Sequence, residues 1–130
     1  MSAADRRHAV GVARRVERSL GAEATRPVLA AALLHDCGKT VSGLGTYGRV
    51  IATLSAKAVG RDVAVLWSDT RGFTRNVGLY LDHPSLGADL LGMAGSAPIT
   101  IAWAAEHHLP EESWTVPPAI GAALKAADDD

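Results

Sequence analysis

Cysteine is almost absent from this sequence, since Cys37 is the only one. An internal disulfide is therefore excluded, and a zinc site built from several thiolates lacks its ligands. Unpaired thiols are typical of a reducing compartment, so we expect the protein to be cytoplasmic. Any metal site must use nitrogen and oxygen ligands instead.

An excess of either charge and a long apolar run are also missing. Thirteen Lys and Arg residues face fourteen Asp and Glu residues, which leaves a formal net charge of -1. Nothing global attracts the chain to nucleic acid or to an anionic membrane, so we expect phosphate binding to be local. No apolar run approaches the roughly 18 residues of a membrane span, and the arginine-rich N-terminus lacks the apolar stretch of a signal peptide. We therefore expect a soluble protein with no membrane partner.

Strand signals are absent too, because no stretch combines strict alternation of apolar and polar residues with flanking hairpin turns. Aromatic residues make up only 5% of the chain, whereas Ala, Leu and Val are abundant. A length of 130 residues with 48% hydrophobic content allows one domain with a substantial core. The sequence predicts an all-α, multi-helix bundle with residues 1–130 as a single domain.

Capping and breaking residues divide the chain into helices. Ser2 and Asp5 have the form of a capping box, which predicts a first helix from about Ala3 to Leu20 that ends at Gly21. The second predicted helix has Thr25 as its cap and ends near Gly38, and a loop at Val41 to Tyr47 follows it. The remaining predicted helices are Val50 to Gly60, Arg61 to Ser68, Phe73 to Leu81, Pro84 to Gly95, Ser96 to His108 and Ala119 to Asp128. A polar break at Asp69 to Gly72 separates the helices Arg61 to Ser68 and Phe73 to Leu81.

Five histidines fall near predicted helix ends or turns: His8, His35, His83, His107 and His108. Asp36 directly follows one of them, Lys39 lies one turn further on, and Asp128 is at the end of the last helix. Imidazole and carboxylate groups together suit divalent Mn, Fe, Co, Ni or Zn. A helical bundle can gather such ligands from several facing helices in its interior. The pattern predicts a metal site whose ligands are scattered along the chain.

Taken alone, each of these residues also has a structural explanation. His8 lies on an arginine-rich helix that suits a solvated face, Asp128 begins an acidic tail, and Lys39 suits a helix C-terminus. Neighbouring residues on a helix project about 100° apart, so His107 and His108 do not point the same way; one of them can simply face solvent, and His107 is the preferred ligand. The joint pattern, rather than any single residue, favours metal binding.

The order of these residues resembles the HD superfamily of metal-dependent phosphohydrolases, in which a His, an adjacent His-Asp pair and a distant Asp ligate one metal. The segment Leu-Leu-His-Asp-Cys-Gly-Lys at residues 33–39 is similar to the family's most recognisable segment, and the match spans residues 8–128. The resemblance implies an HD-domain bundle. Family members with two metals add a His before a Gly-Ala-rich helix and another at the end of the next helix. The resemblance therefore implies a first metal held by His8, His35, Asp36 and Asp128. It also implies a second metal held by His83, His107 and His108, with Asp36 bridging the two.

What the resemblance implies about activity is hydrolysis of a phosphomonoester or phosphodiester, in a nucleotide or another small phosphorylated metabolite, by a metal-activated water. The cofactor would be one or two divalent transition-metal ions, with magnesium as a further candidate. Asp36 and Lys39 are the expected catalytic residues. Lys39, Arg71 and Arg75 are the expected contacts to the phosphoryl oxygens.

Other functions remain open at this point. The sequence departs from related cyclic dinucleotide phosphodiesterases, since Leu-Pro-Glu follows His108 and no Gly-Tyr-Pro comes later. Small diadenosine tetraphosphate hydrolases of HD type normally have Thr at the position that His108 occupies in this chain. Relatives with two irons act as oxygenases, and a non-hydrolytic regulatory or nucleotide-binding module is the other alternative. Because non-catalytic members have usually lost ligands, the full set favours catalysis. With His8 so near the N-terminus, we expect an open site or one completed by a partner chain in a homodimer.

Overall fold

Helices make up the regular structure of the residues that the computed structural model describes, which are 1–44, 46–69 and 71–130. This part of the chain contains eight α-helices, joined in places by short 3-10 turns, and no β-strand. The α-helices are α1 (Ala3–Leu20), α2 (Arg26–Leu34), α3 (Thr46–Val59), α4 (Arg61–Val65), α5 (Gly72–Leu81), α6 (His83–Met93), α7 (Pro98–Glu106) and α8 (Pro118–Asp129). The predicted all-α, multi-helix bundle is confirmed.

The larger hydrophobic core lies between the two ends of the chain, where α1 and α2 pack against α7 and α8. Val12 and Val16 of α1 meet Trp103 of α7 and Leu124 of α8, and all four are almost completely buried. Burial of a large apolar side chain contributes roughly 1.5 to 3 kcal/mol, so these contacts hold the first and last helices together. Helices that are far apart in sequence thus end next to one another.

The middle of the chain forms a second, smaller cluster among α3, α4 and α5. Its buried members are Leu44, Ala52, Ala64, Val77 and Leu81. This cluster joins the rest of the molecule where α5 packs against the 3-10 turn that follows α2. None of the described helices has the length and apolar character needed to cross a membrane.

The start of α1 shows the capping box predicted from the sequence. The Oγ of Ser2 accepts a hydrogen bond from the backbone N–H of Asp5 at 3.1 Å, and the Asp5 carboxylate accepts one from the Ser2 backbone N–H at 3.0 Å. At the other end Gly21 has φ of 53°, a conformation that a residue without a side chain adopts at little cost. The predicted limits of the first helix are confirmed.

The second helix was predicted to end near Gly38, and this is wrong, because α2 ends at Leu34. The chain tightens there into the 3-10 turn Cys37–Ser42. The Oγ of Ser42 donates to the carbonyl of Lys39 at 2.8 Å and accepts from the N–H of Leu44 at 3.3 Å, which supplies partners for backbone groups in this turn. This local side-chain network stabilises the 3-10 turn that follows the helix.

The other predicted limits differ from the structure in smaller ways. The loop predicted at Val41 to Tyr47 is too long at both ends. Residues 41 and 42 belong to the preceding 3-10 turn, which side-chain bonds extend, and residues 46 and 47 belong to α3. The break after α4 is also narrower than predicted, since the 3-10 turn Leu66–Asp69 fills its start and Gly72 begins α5. Gly45 in the loop and Thr70 in the break lie outside the described residues. The predicted seventh helix is too long by two residues at each end, since α7 begins at Pro98 and ends at Glu106.

Candidate metal centre

Asp36 lies at the centre of the histidine cluster, immediately after α2. Its Oδ1 is 3.2 Å from Nε2 of His83 and 3.6 Å from Nε2 of His107. Its Oδ2 is 3.6 Å from Nε2 of His35 and forms an ion pair with Nζ of Lys39. The two oxygens of one carboxylate therefore face two different groups of side chains.

Three buried histidines share one local geometry, which fixes the nitrogen that carries the proton. In His35, His83 and His107, Nδ1 lies 3.0, 2.7 and 2.9 Å from the backbone carbonyl three residues earlier. Because a carbonyl only accepts, each Nδ1 donates, so the lone pair of a ring in its neutral form lies on Nε2. Second contacts of this kind orient metal-binding histidines in proteins. All three rings present Nε2 toward Asp36.

The atoms that converge here lack ordinary partners. The Nε2 atoms of His35, His83 and His107 and the Oδ1 of Asp36 are buried and have no hydrogen-bond partner among the described residues. A nitrogen lone pair that faces a carboxylate oxygen is repelled by it unless a cation or a proton lies between them. Leaving a buried polar atom unsatisfied costs about 1 to 3 kcal/mol. These His and Asp groups are close enough to hold a metal ion, and a metal would satisfy them together.

Asp128 connects the C-terminal helix to the same cluster. Its Oδ1 lies 2.9 Å from Nε2 of His8 on α1 and 3.2 Å from Nε2 of His35. The ligand atoms of His8, His35 and Asp36 lie within 4.8 Å of one another, and so do those of a second group: Asp36, His83, His107 and His108. Asp36 belongs to both groups, which is the position a bridging carboxylate would occupy. His8 is the most open of these groups, with 42% of its side chain exposed.

The paired histidines at the end of α7 have different surroundings. His107 is fully buried, whereas His108 is exposed, although its ring lies only 4.1 Å from that of His107. Partial burial of the ring, together with the neighbouring His107, His83 and Arg61, disfavours its protonation and lowers the pKa of His108 to about 3. His108 is therefore neutral near pH 7 and offers a lone pair. The inward placement of His107 agrees with its preference as a ligand.

Both carboxylates of the cluster are ionised at neutral pH. Burial would raise the pKa of Asp36, but the imidazoles of His107 and His83, together with His35 and Lys39, hold that pKa well below its usual range. Burial also opposes ionisation of Asp128, and the neighbouring His35 and His8 more than offset it, so the pKa of Asp128 is lowered. Two negative charges beside several imidazole nitrogens form a donor set that suits a divalent cation.

Close backbone packing brings Asp36 next to α6. A methyl group added at Gly38 would collide with the carbonyl of His83 and the backbone N–H of Gly87. Cys37 adds a contact from Sγ to the Gly87 carbonyl at 3.7 Å. In the sequence Gly38 suggested only a helix end, yet its lack of a side chain allows the turn after α2 to reach the start of α6.

Glu106 anchors the end of α7, one residue before His107. Its buried carboxylate accepts hydrogen bonds from the backbone N–H of Thr115 at 2.8 Å and from Oγ1 of Thr115 at 2.6 Å. These bonds tie α7 to the segment that leads into α8. Nothing in the local sequence indicated this role, because Thr115 is nine residues away and the contact depends on the course of the intervening turn.

The basic residues predicted to contact phosphate occupy different places. Lys39 is paired with Asp36 inside the cluster. Arg71 precedes α5 and Arg75 lies within it; both are exposed, and neither is among the described residues that line the cleft beside the cluster. Two other cations do line this cleft, Lys57 of α3 and Arg61 of α4, and neither was predicted from the sequence. The position of Arg61 results from the packing of α4 on α5, so no local motif could have indicated it.

The cleft beside the cluster has a volume of about 370 Å³. His83 and His108 contribute to its wall, and the Tyr80 ring stacks on His83 with centroids 5.7 Å apart. The other lining residues are Thr53, Ala56, Lys57, Arg61 and Leu81. A small molecule in this cleft would therefore touch the candidate metal ligands directly.

Comparisons with family models, curated proteins and solved structures gave no match to this chain. The geometry of the cluster and the sequence motif at residues 33–39 are therefore the features that indicate a function.

Proposed function

We propose that this chain is a metal-dependent phosphohydrolase of the HD type and that residues 1–130 form its single domain. The observation that carries the proposal is the position of Asp36, whose two oxygens face two groups of histidines with orphaned Nε2 atoms. A carboxylate shared in this way suits a pair of divalent ions. The motif order along the chain supports the same assignment.

The ligands divide between two ions, and the metals that suit them are Mn, Fe, Co, Ni or Zn. The first ion would be held by His8, His35, Asp36 and Asp128, and the second by Asp36, His83, His107 and His108. All seven side chains are buried or have a contact within the cluster, and His8, with 42% of its side chain exposed, lies at the open edge. Access for a substrate is therefore easiest beside His8 and through the cleft next to His108.

Bound divalent metals would supply Lewis acidity, which lowers the pKa of water and neutralises charge on a phosphoryl group. The residues of the chain do the positioning. Asp36 keeps the two groups of ligands at a fixed separation, and Lys39 holds its Oδ2. The Lys39 ammonium also places a positive charge where phosphoryl oxygens would approach. The Nδ1 contacts of the histidines keep their Nε2 lone pairs directed inward.

The substrate would be a small phosphorylated metabolite, in the class that includes nucleotides. A cleft of about 370 Å³ is at the lower end of the roughly 300 to 1,000 Å³ typical of small-molecule sites. A complete ligand set together with an adjacent cationic cleft favours hydrolysis over a module that only binds its ligand. An oxygenase with two irons uses the same ligand types, so the experiment must separate the two.

The decisive experiment measures metal and hydrolysis together. Wild type, Asp36→Asn and the control Asp129→Asn are purified untagged, and their metal content is determined by elemental mass spectrometry. Hydrolysis of p-nitrophenyl phosphate and bis(p-nitrophenyl) phosphate is then assayed with added Mn²⁺. We expect wild type and Asp129→Asn to bind metal and to hydrolyse at least one ester, and Asp36→Asn to do neither. Bound iron and oxygen consumption without hydrolysis would indicate an oxygenase. Bound metal with neither activity would indicate a binding module.

A further inference from the structure

The cleft beside the candidate metal centre has a distinct charge. Arg61 of α4 and Lys57 of α3 are the basic side chains among the residues that line it, and no described lining residue is acidic. His83 and His108 connect this wall to the cluster. A ligand that reached the candidate metals with one end would therefore place its other end against two cations.

Arg61 separates this cleft from a second one with the opposite character. The second cleft, of about 250 Å³, is lined by Asp62 and Asp82 as well as by Arg61 and His108. Two carboxylates at its wall would repel an anion, whereas the first cleft attracts one. The charge distribution therefore directs an anionic ligand to the side of Lys57.

The guanidinium of Arg61 is held in place before any ligand binds. Its Nη2 donates to the backbone carbonyl of Leu81 at 2.7 Å, at the end of α5. An arginine with one edge fixed has its remaining donors oriented, so less side-chain entropy is lost when it binds a carboxylate or phosphate. Orientation of this kind is typical of a recognition residue rather than of a freely solvated one.

We infer that this cleft is a subsite for a second anionic group on the substrate, with Arg61 and Lys57 as its ligands. The inference rests on the proposed function for the position of the first, reacting phosphoryl group. It narrows the substrate class to small phosphate esters that carry another phosphate or a carboxylate. Arg61 and Lys57 are specificity residues here, because they lie apart from the reacting atoms.

The test compares ligands that differ only in the second anion. Propylphosphonate is paired with 3-phosphonopropionate and butylphosphonate with 4-phosphonobutyrate, since the P–C bond resists hydrolysis. Binding to Mn²⁺-loaded protein is measured by titration calorimetry. We expect the carboxylated member of at least one pair to bind about tenfold more tightly to wild type, as one charged hydrogen bond would provide. Equal affinity within both pairs would overturn the inference.

Variants identify the side chains responsible. Arg61→Gln should reduce the preference to less than about threefold and leave alkylphosphonate affinity within about twofold. Arg61→Gln also removes the hydrogen bond to Leu81, so a second variant is needed. Lys57→Gln serves this purpose, because the exposed Lys57 side chain has no such anchoring contact among the described residues, and it should weaken the preference for the carboxylated phosphonate in part. Arg26→Gln, at an exposed arginine outside the cleft, should keep it fully. A full preference in both Arg61→Gln and Lys57→Gln would contradict the assignment.

The outcomes also separate this inference from the proposed function. Hydrolysis of p-nitrophenyl phosphate without a carboxylate preference would support the hydrolase and reject the subsite. A preference that depends on Arg61, found in a protein that hydrolyses neither chromogenic ester, would support the subsite and reject the hydrolase.

Discussion

Gly38 lies directly against the backbone of His83, and no side chain fits between them. The contact joins the turn after α2 to the first residue of α6. It sets the 3.2 Å approach between Oδ1 of Asp36 and Nε2 of His83, because both residues are close to the contact in sequence. The two candidate metal groups therefore share a carboxylate only while this backbone packing is intact.

Gly38→Ala should damage metal binding and stability together. The new methyl group would force the turn and α6 apart, at a cost of about 1 to 3 kcal/mol in the free energy of unfolding. The affinity for the second ion should fall by at least about tenfold, as measured by titration with Mn²⁺. Gly92→Ala on α6 is the control. Nothing lies within 4 Å of its added methyl group, so this variant should keep its affinity for metal. Equal affinities for both variants would contradict the positioning role of Gly38.

The number of ions lost should differ between the two candidate carboxylates. Asp36→Asn removes the charge shared by both groups, so both equivalents of Mn²⁺ should be lost. Asp128→Asn affects only the group that contains His8 and His35, so one equivalent should remain. Elemental mass spectrometry on dialysed protein gives the stoichiometry. Retention of one equivalent by Asp36→Asn would show that the carboxylate is not shared.

Much of the fold followed from the sequence where the signals were local. The capping box of Ser2 and Asp5 and the stop at Gly21 fixed α1, and the absence of strand patterns indicated an all-α protein. The candidate ligands could be chosen because the five histidines and the adjacent Asp36 follow the order of the HD family, which also selected Asp128. Their convergence on Asp36 agrees with the expectation that a bundle collects ligands from several helices.

What the sequence could not indicate depends on contacts between distant segments. Arg61 reaches the cleft only because α4 packs on α5, and Glu106 finds Thr115 only through the turn between α7 and α8. The early end of α2 had the same origin, since Gly38 must approach α6. Periodicity reports the face of a helix, but it carries no information about which distant backbone that face will meet.

His107 and His108 should contribute unequally to metal binding. His107 is fully buried with Nδ1 anchored to the Ala104 carbonyl, so His107→Gln should lower affinity for the second ion by at least about tenfold. His108 is exposed, and His108→Gln should have a smaller effect on affinity and change the free energy of unfolding by less than about 0.5 kcal/mol. Calorimetric titration and urea unfolding of metal-free protein measure the two quantities. A larger loss of affinity in His108→Gln would reverse the assignment.

Glu106 should stabilise the fold and, through it, the position of His107. Glu106→Gln leaves one acceptor for the two donors of the exposed Thr115, so one hydrogen bond to a charged acceptor is lost, at a cost of about 1.5 to 3 kcal/mol in the free energy of unfolding measured with urea. Glu112→Gln provides the control, because Glu112 is exposed in the following turn. Metal affinity of Glu106→Gln should fall less than that of His107→Gln, since Glu106 is not in either ligand group. A Glu106→Gln protein as stable as wild type would mean that the Thr115 contact does not hold α7. A loss of metal affinity equal to that of His107→Gln would make Glu106 a ligand rather than an anchor.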